Sequence, residues 1–123
     1  MDLPPTLLDD ELRATRECRL ITTGRASGQP RPVDLWFAAA GDRVFMLAGA
    51  RERADWVSNL QANHVVRVQI GNRTFEGRAS PIEGAPDDPA AREAIAAKYG
   101  RNGLSDWLRE SLPVAIDLER EVD

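Results

Sequence analysis

Leu20-Ile21-Thr22-Thr23-Gly24-Arg25-Ala26-Ser27-Gly28-Gln29-Pro30-Arg31 reads as the end of one strand, a turn and the start of the next. Arg19 to Thr23 is β-prone and stops at Gly24, and Ser27-Gly28-Gln29-Pro30 is made of residue types that reverse a chain. The pattern continues outward. Val33, Leu35 and Phe37 alternate with Asp34, Trp36 and Ala38, as on a strand with one face in a core. Gly41-Asp42 marks a tight hairpin, and the unbroken apolar run Val44-Phe45-Met46-Leu47-Ala48 suits a strand buried on both faces, ended by Gly49.

Past Gly49 the period changes. Trp56, Leu60 and either Val57 or Ala54 gather on one helical face, which predicts a helix over 52–62. Val66, Val68 and Ile70 then alternate with Arg67 and Gln69, and Gly71-Asn72 supplies a second hairpin before Thr74–Ala79. Asp88-Pro89 has the form of an N-cap and first helical position, opening an alanine-rich helix over 89–99 that Gly100 stops. A short helix around 104–111 follows, and Pro113 introduces the alternating Val114-Ala115-Ile116-Asp117-Leu118. Near the start, Leu7, Leu8 and Leu12 have helical spacing and Asp9, Asp10 and Glu11 favour a helix N-terminus, so 6–17 reads as an amphipathic helix.

Strands at 19–24, 31–40, 43–49, 64–71, 73–82 and 113–119 predict a mainly β fold, a six-stranded antiparallel β-barrel with peripheral helices. Periodicity leaves the strand order open. The division is one domain over 1–123, with an N-terminal helix at 6–17, a barrel core at 18–82, and a helical segment and closing strand at 84–123.

With 42% hydrophobic and 29% charged residues the 123-residue chain has ordinary globular composition. A domain of this size buries only roughly two-thirds of its unfolded surface, so a second subunit that covers an apolar face would be useful though not required. No segment approaches a membrane span, and Met1-Asp2-Leu3-Pro4-Pro5 lacks a basic region followed by an apolar stretch, so the expected location is the cytoplasm. Cys18 is the only cysteine, which excludes an internal disulfide and a cysteine-based metal site within one chain. A net charge of −4 argues against a nucleic-acid partner, yet residues 13–53 hold eight arginines against four acids. A basic segment in an acidic protein suits a small anionic ligand.

No catalytic triad is legible. His64, the only histidine, begins a strand and reads as a strand-edge residue, Cys18 reads as a small core hydrophobe, and no metal motif appears. The informative group is Arg25 and Arg31 on either side of the Ser27-Gly28 turn, because guanidinium forks, a hydroxyl and exposed turn amides together cradle a phosphate or carboxylate. The same turn is equally a solvated hairpin with arginines for solubility. Arg51 and Arg53 oppose the macrodipole of the helix they precede, so they belong to the same ligand if the strand ends meet, and otherwise to the surface. Trp36 and Trp56 are candidates to stack on a planar ring, or packing residues.

The 20–31 stretch, followed by Ala54-Asp55-Trp56-Val57-Ser58-Asn59-Leu60-Gln61-Ala62-Asn63 and Val66-Arg67-Val68, resembles the deazaflavin (F420)-dependent nitroreductase family, within the split β-barrel, pyridoxamine-phosphate-oxidase-like superfamily. Leu112-Pro113-Val114-Ala115-Ile116 weakly matches the family's final strand. The resemblance implies an FMN-binding split-barrel-like fold, and an oxidoreductase that moves a hydride between coenzyme F420 and a small electron-poor quinone- or nitro-like acceptor. It places the phosphate and carboxylates of the cofactor tail at Arg25, Ser27, Gly28, Gln29 and Arg31, the ring and linker beside Ala48, Gly49, Arg51, Trp56 and Asn59, and a substrate-side tyrosine at Tyr99. It implies a homodimer, which the small core suits, and no metal. Ala26 stands where lysine is usual, Val57 replaces an aromatic residue and His64 replaces proline. Relatives of this fold that use FMN, or that carry a flavin or F420 without turning it over, are the alternatives.

Overall fold

The alternation along 17–49 becomes four strands of one curled antiparallel sheet. In the computed structural model, which describes residues 6–123, these are β1 (Glu17–Thr23), β2 (Pro30–Trp36), β3 (Ala38–Ala40) and β4 (Arg43–Ala48). The sheet is completed by β5 (Val65–Ile70), β6 (Arg73–Pro81) and β7 (Leu112–Val122). Its order is β2-β1-β5-β6-β7-β4-β3, so seven strands stand where six were expected.

The extra strand comes from a break at Phe37 inside the expected 31–40 strand. β2 pairs with β1 along Glu17↔Trp36 to Thr23↔Pro30, whereas β3 pairs with β4 at the other edge. The chain therefore crosses from one edge to the other at a single residue. Phe37 is fully buried, and its backbone groups find partners outside the ladder: its N–H donates to the Tyr99 hydroxyl (3.0 Å), and Lys98 Nζ donates to its carbonyl (2.9 Å). A buried break is tolerable because both polar groups are satisfied.

Three helical boundaries also move. The N-terminal helix is α1 (Asp10–Ala14), not 6–17, because Asp9 caps it by accepting the Leu12 N–H (2.8 Å) while the Leu7 and Leu8 amides turn to the Asp42 carboxylate. Residues 1–5 of the N-terminal reading lie outside the described residues. The 52–62 helix is a 3-10 turn at Arg51–Arg53, an extended Ala54, and α2 (Asp55–Ala62). α3 (Asp88–Tyr99) begins one residue before Pro89, and Asp88 accepts the Gly84 N–H (2.8 Å) and an Arg92 hydrogen bond (2.6 Å) instead of capping. α4 (Ser105–Glu110) leads into β7.

The core fills the curl: Leu20, Met46, Leu60, Val68, Ile70, Phe75 and Ile116 are buried together, with Cys18 among them. α2 crosses the end of the curl, burying Val57 and Leu60 and carrying Asn59 inward. α3 and α4 pack Ile95, Ala96 and Leu108 against Ala38 and Leu47.

Candidate cofactor-binding site

The loop after β1 closes on itself before any ligand is considered. Gly24 N–H donates to Gln29 O and Gly28 N–H to Gly24 O, each at 2.8 Å, and Gly28 takes a positive φ of 72° that glycine adopts freely. Gly24 lets Ser27 and Arg31 converge, since a Cβ there would lie 2.6 Å from Ser27 Oγ and 3.2 Å from Arg31 Nε. Ser27 Oγ accepts from Gln29 N–H and from Arg31 Nη2, both at 3.2 Å.

Arg25 is fixed from below. Asn59 Oδ1 accepts from both its backbone N–H (3.1 Å) and its guanidinium (2.8 Å), and Asn59 Nδ2 donates to Thr22 Oγ1 (3.2 Å). Thr22 and Asn59 are both buried, so this is a closed polar network joining β1, the loop and α2. The fork also reaches Asp55 Oδ1 (3.2 Å) and the Asp55 carbonyl (3.4 Å). Arg31 has no carboxylate partner among the described residues, and there the Ala26 and Ser27 amides have no protein acceptor either. The result is a cleft of about 510 Å3 lined by Arg25, Ser27, Arg31, Asp55, Trp56 and Asn59, equipped for an anion.

A second cleft, also about 510 Å3, is less polar, although Glu17 and Asp34 stand on its lining. Trp36, Trp56 and Trp107 wall it, with the end of β4 at Leu47, Ala48, Gly49 and Ala50. Trp56 belongs to both clefts. Gly49 presses against an indole, since a Cβ there would stand 3.3 Å from Trp107 Cδ1. Trp36 stacks on Tyr99 with ring centroids 4.3 Å apart and meets Trp107 edge-on at 5.9 Å. The Arg16 guanidinium lies 5.1 Å from the Trp36 ring centroid.

The residues singled out from sequence divide accordingly. Arg25, Ser27, Arg31, Trp56 and Asn59 line the polar cleft, and Ala48 and Gly49 join Trp56 at the aromatic one. Gly28 faces a different groove beside Ile21 and Val65, and Gln29 lines neither cleft. Arg51 also lines neither: it holds Glu83 (2.5 and 2.6 Å) and the Glu110 carbonyl (2.7 Å) from a backbone at φ 55°. Tyr99 stands behind Trp36, its hydroxyl donating to the Arg16 carbonyl (2.5 Å) and accepting from Phe37 N–H, while burial pushes its phenol pKa up. Asp55 and Trp107 were not singled out from sequence.

The sequence pattern of the F420H(2)-dependent quinone reductase family matches residues 10–119. The chain belongs to this family. The F420H(2)-dependent quinone reductase of Mycobacterium tuberculosis (strain ATCC 25618 / H37Rv) is 34% identical over 117 residues, covering 92% of this chain and 71% of the relative. The same figures hold for the protein of that description from strain CDC 1551 / Oshkosh. Among solved structures, an F420-H2 dependent reductase superposes with a TM-score of 0.68 at 24% identity, over 85% of this chain and 94% of its own. The heme storage protein HutZ of Vibrio cholerae superposes with 0.72 at 20%, over 89% and 87%, and a chain described as a domain-swapped dimer with 0.69 at 24%, over 92% and 83%. These structures share the split-barrel fold. As a member of the F420H(2)-dependent quinone reductase family, the chain is an oxidoreductase that works with coenzyme F420.

Proposed function

We propose that F420 lies across the two clefts, with its anionic tail on the Gly24–Arg31 loop and its deazaflavin ring beside Trp56 and the Ala48-Gly49 strand end. The observation that carries this reading is that an anion cradle and a tryptophan-walled slot meet at one residue, Trp56. An elongated ligand with a charged end and a planar end matches that pair. The bound cofactor in its reduced form supplies a hydride and a proton, which convert a quinone to a hydroquinone. The chain's own residues bind and orient. Arg31, Ser27 and the loop amides hold the tail, Asn59 presets Arg25 from beneath, and Trp36 and Trp107 receive a planar quinone- or nitro-like acceptor. The absence of a side chain at Gly49 lets Trp107 close on the strand end and shape one wall of the slot. Tyr99 acts through Trp36, as a positioning residue.

Titration with F420 and, separately, FMN, followed by the fluorescence of each, tests the cofactor reading. F420 is expected to bind at micromolar concentrations or below, and binding of neither would overturn it. Steady oxidation of reduced F420 by an added naphthoquinone distinguishes an enzyme from a carrier. We further propose one domain that works in the cytoplasm as a homodimer, which the small core supports and a solution mass measurement checks. Among the described residues no helix is long and apolar enough to cross a membrane.

A further inference from the structure

The polar cleft holds a carboxylate as well as arginines. Its charged lining residues are Arg25, Arg31 and Asp55, and Asp55 Oδ1 stands 3.2 Å from Arg25 Nη2. Asp55 is the first residue of α2, where an acid suits the helix macrodipole, and its side chain is 87% exposed, so no packing contact holds it against Arg25. A solvated single-contact pair contributes little stability and exchanges readily. Any phosphate or carboxylate that approaches Arg25 meets this acid, whereas Arg31 has no carboxylate within ion-pair distance among the described residues.

We propose that Asp55 is a specificity-determining residue: by competing for Arg25 it lowers what the loop gains from an anionic tail, so the chain favours tailed F420 over the tail-less chromophore less than its two arginines alone would allow. The proposal rests on the reading that this loop takes the F420 tail. Arg25 itself does not depend on the acid, because Asn59 Oδ1 and the Asp55 backbone carbonyl also accept from its guanidinium. Replacing the carboxylate therefore frees a cation without releasing its fork.

The test compares Asp55→Asn with the unaltered chain in fluorescence titrations against three probes: the tail-less deazaflavin chromophore, F420 with few tail glutamates, and F420 with many. The substitution should tighten both tailed species by about two- to fivefold at low salt and leave the tail-less chromophore unchanged. The gain should fade as salt is added. Equal affinities of variant and unaltered chain for tailed species would overturn the proposal. So would equal tightening of the tail-less chromophore, which would put the effect at the ring. Failure of the unaltered chain to bind any of the three overturns the underlying reading together with this one, a result distinct from either. Thermal melting of both proteins shows whether the fold is shared.

Discussion

Arg25 and Arg31 bear the same charge and are held in different ways. Arg25 is tied to Asn59 and Asp55, whereas the Arg31 fork makes a single hydrogen bond among the described residues, to the Ser27 hydroxyl, and leaves its other donors to a ligand. Arg31→Ala should therefore weaken F420 binding by about 1.5–3 kcal/mol, the range for a charge-assisted contact, with the unfolding midpoint unchanged. Fluorescence titration beside a denaturant melt reads both quantities, and unchanged affinity would reduce the loop to plain surface. The turn was legible from sequence because every bond that closes it lies within residues 24–31. Asp55 was not, since an acid at a helix start is already explained by the macrodipole. Arg51 was expected beside the cofactor, but its partner Glu83 lies 32 residues on, and no local pattern announces a pairing of that range.

The strands were legible wherever a face alternates, and the Phe37 break was hidden for the same reason: Val33, Leu35 and Phe37 keep their period straight across it. What breaks the element is a tertiary partner, the end of α3. Tyr99→Phe keeps the stack on Trp36 but strands the buried Phe37 N–H, so it should destabilise the fold by about 1–3 kcal/mol, read as a lower denaturant midpoint. The bulge in β7, where Glu119 is the extra residue opposite Glu76 and Gly77, is a second feature of this scale. The β6–β7 register slips between Glu76 and Gly77, and a Cβ at Gly77 would come within 2.4 Å of the Asp117 carbonyl oxygen, a backbone atom that no side-chain rotation moves away. Gly77→Ala should cost at least about 1–3 kcal/mol of stability, while the molecules that still fold bind F420 as before. In the sequence Gly77 looked like any glycine in a strand, because only the facing strand makes it necessary.

Across the whole molecule, the strand order is what no periodicity reveals. β2 and β3 form opposite edges of the sheet yet are joined through Phe37, so the chain itself closes the curl. Pro30 and Pro32 lie on the β2 edge, where missing donors discourage further strand pairing. Inside that closure Cys18 is buried in the core while Lys98 is half-buried on α3, and the two give the fold a signature in alkali. Burial pushes the Cys18 thiol from 9.0 up to about 12, although the nearby Lys98 charge pulls the other way. The unfolded chain therefore loses this proton near pH 9 while the folded chain keeps it. The thiol's contribution to stability is complete below pH 9 and is lost between 9 and about 12, by about 1.4 kcal/mol per pH unit where the difference is a full proton. Lys98 has the opposite sign, since burial lowers its pKa below 10.5 and the folded chain then holds fewer protons than the unfolded one as pH approaches 10.5. Cys18→Ala separates the two. Under reducing conditions the stability of the unaltered chain relative to this variant should hold constant up to pH 9 and then fall, measured by urea unfolding at pH 8, 9.5 and 10.5. A difference that stays flat across those three values would mean that the thiol is not sealed in the core, and that the curl is open to water at its centre.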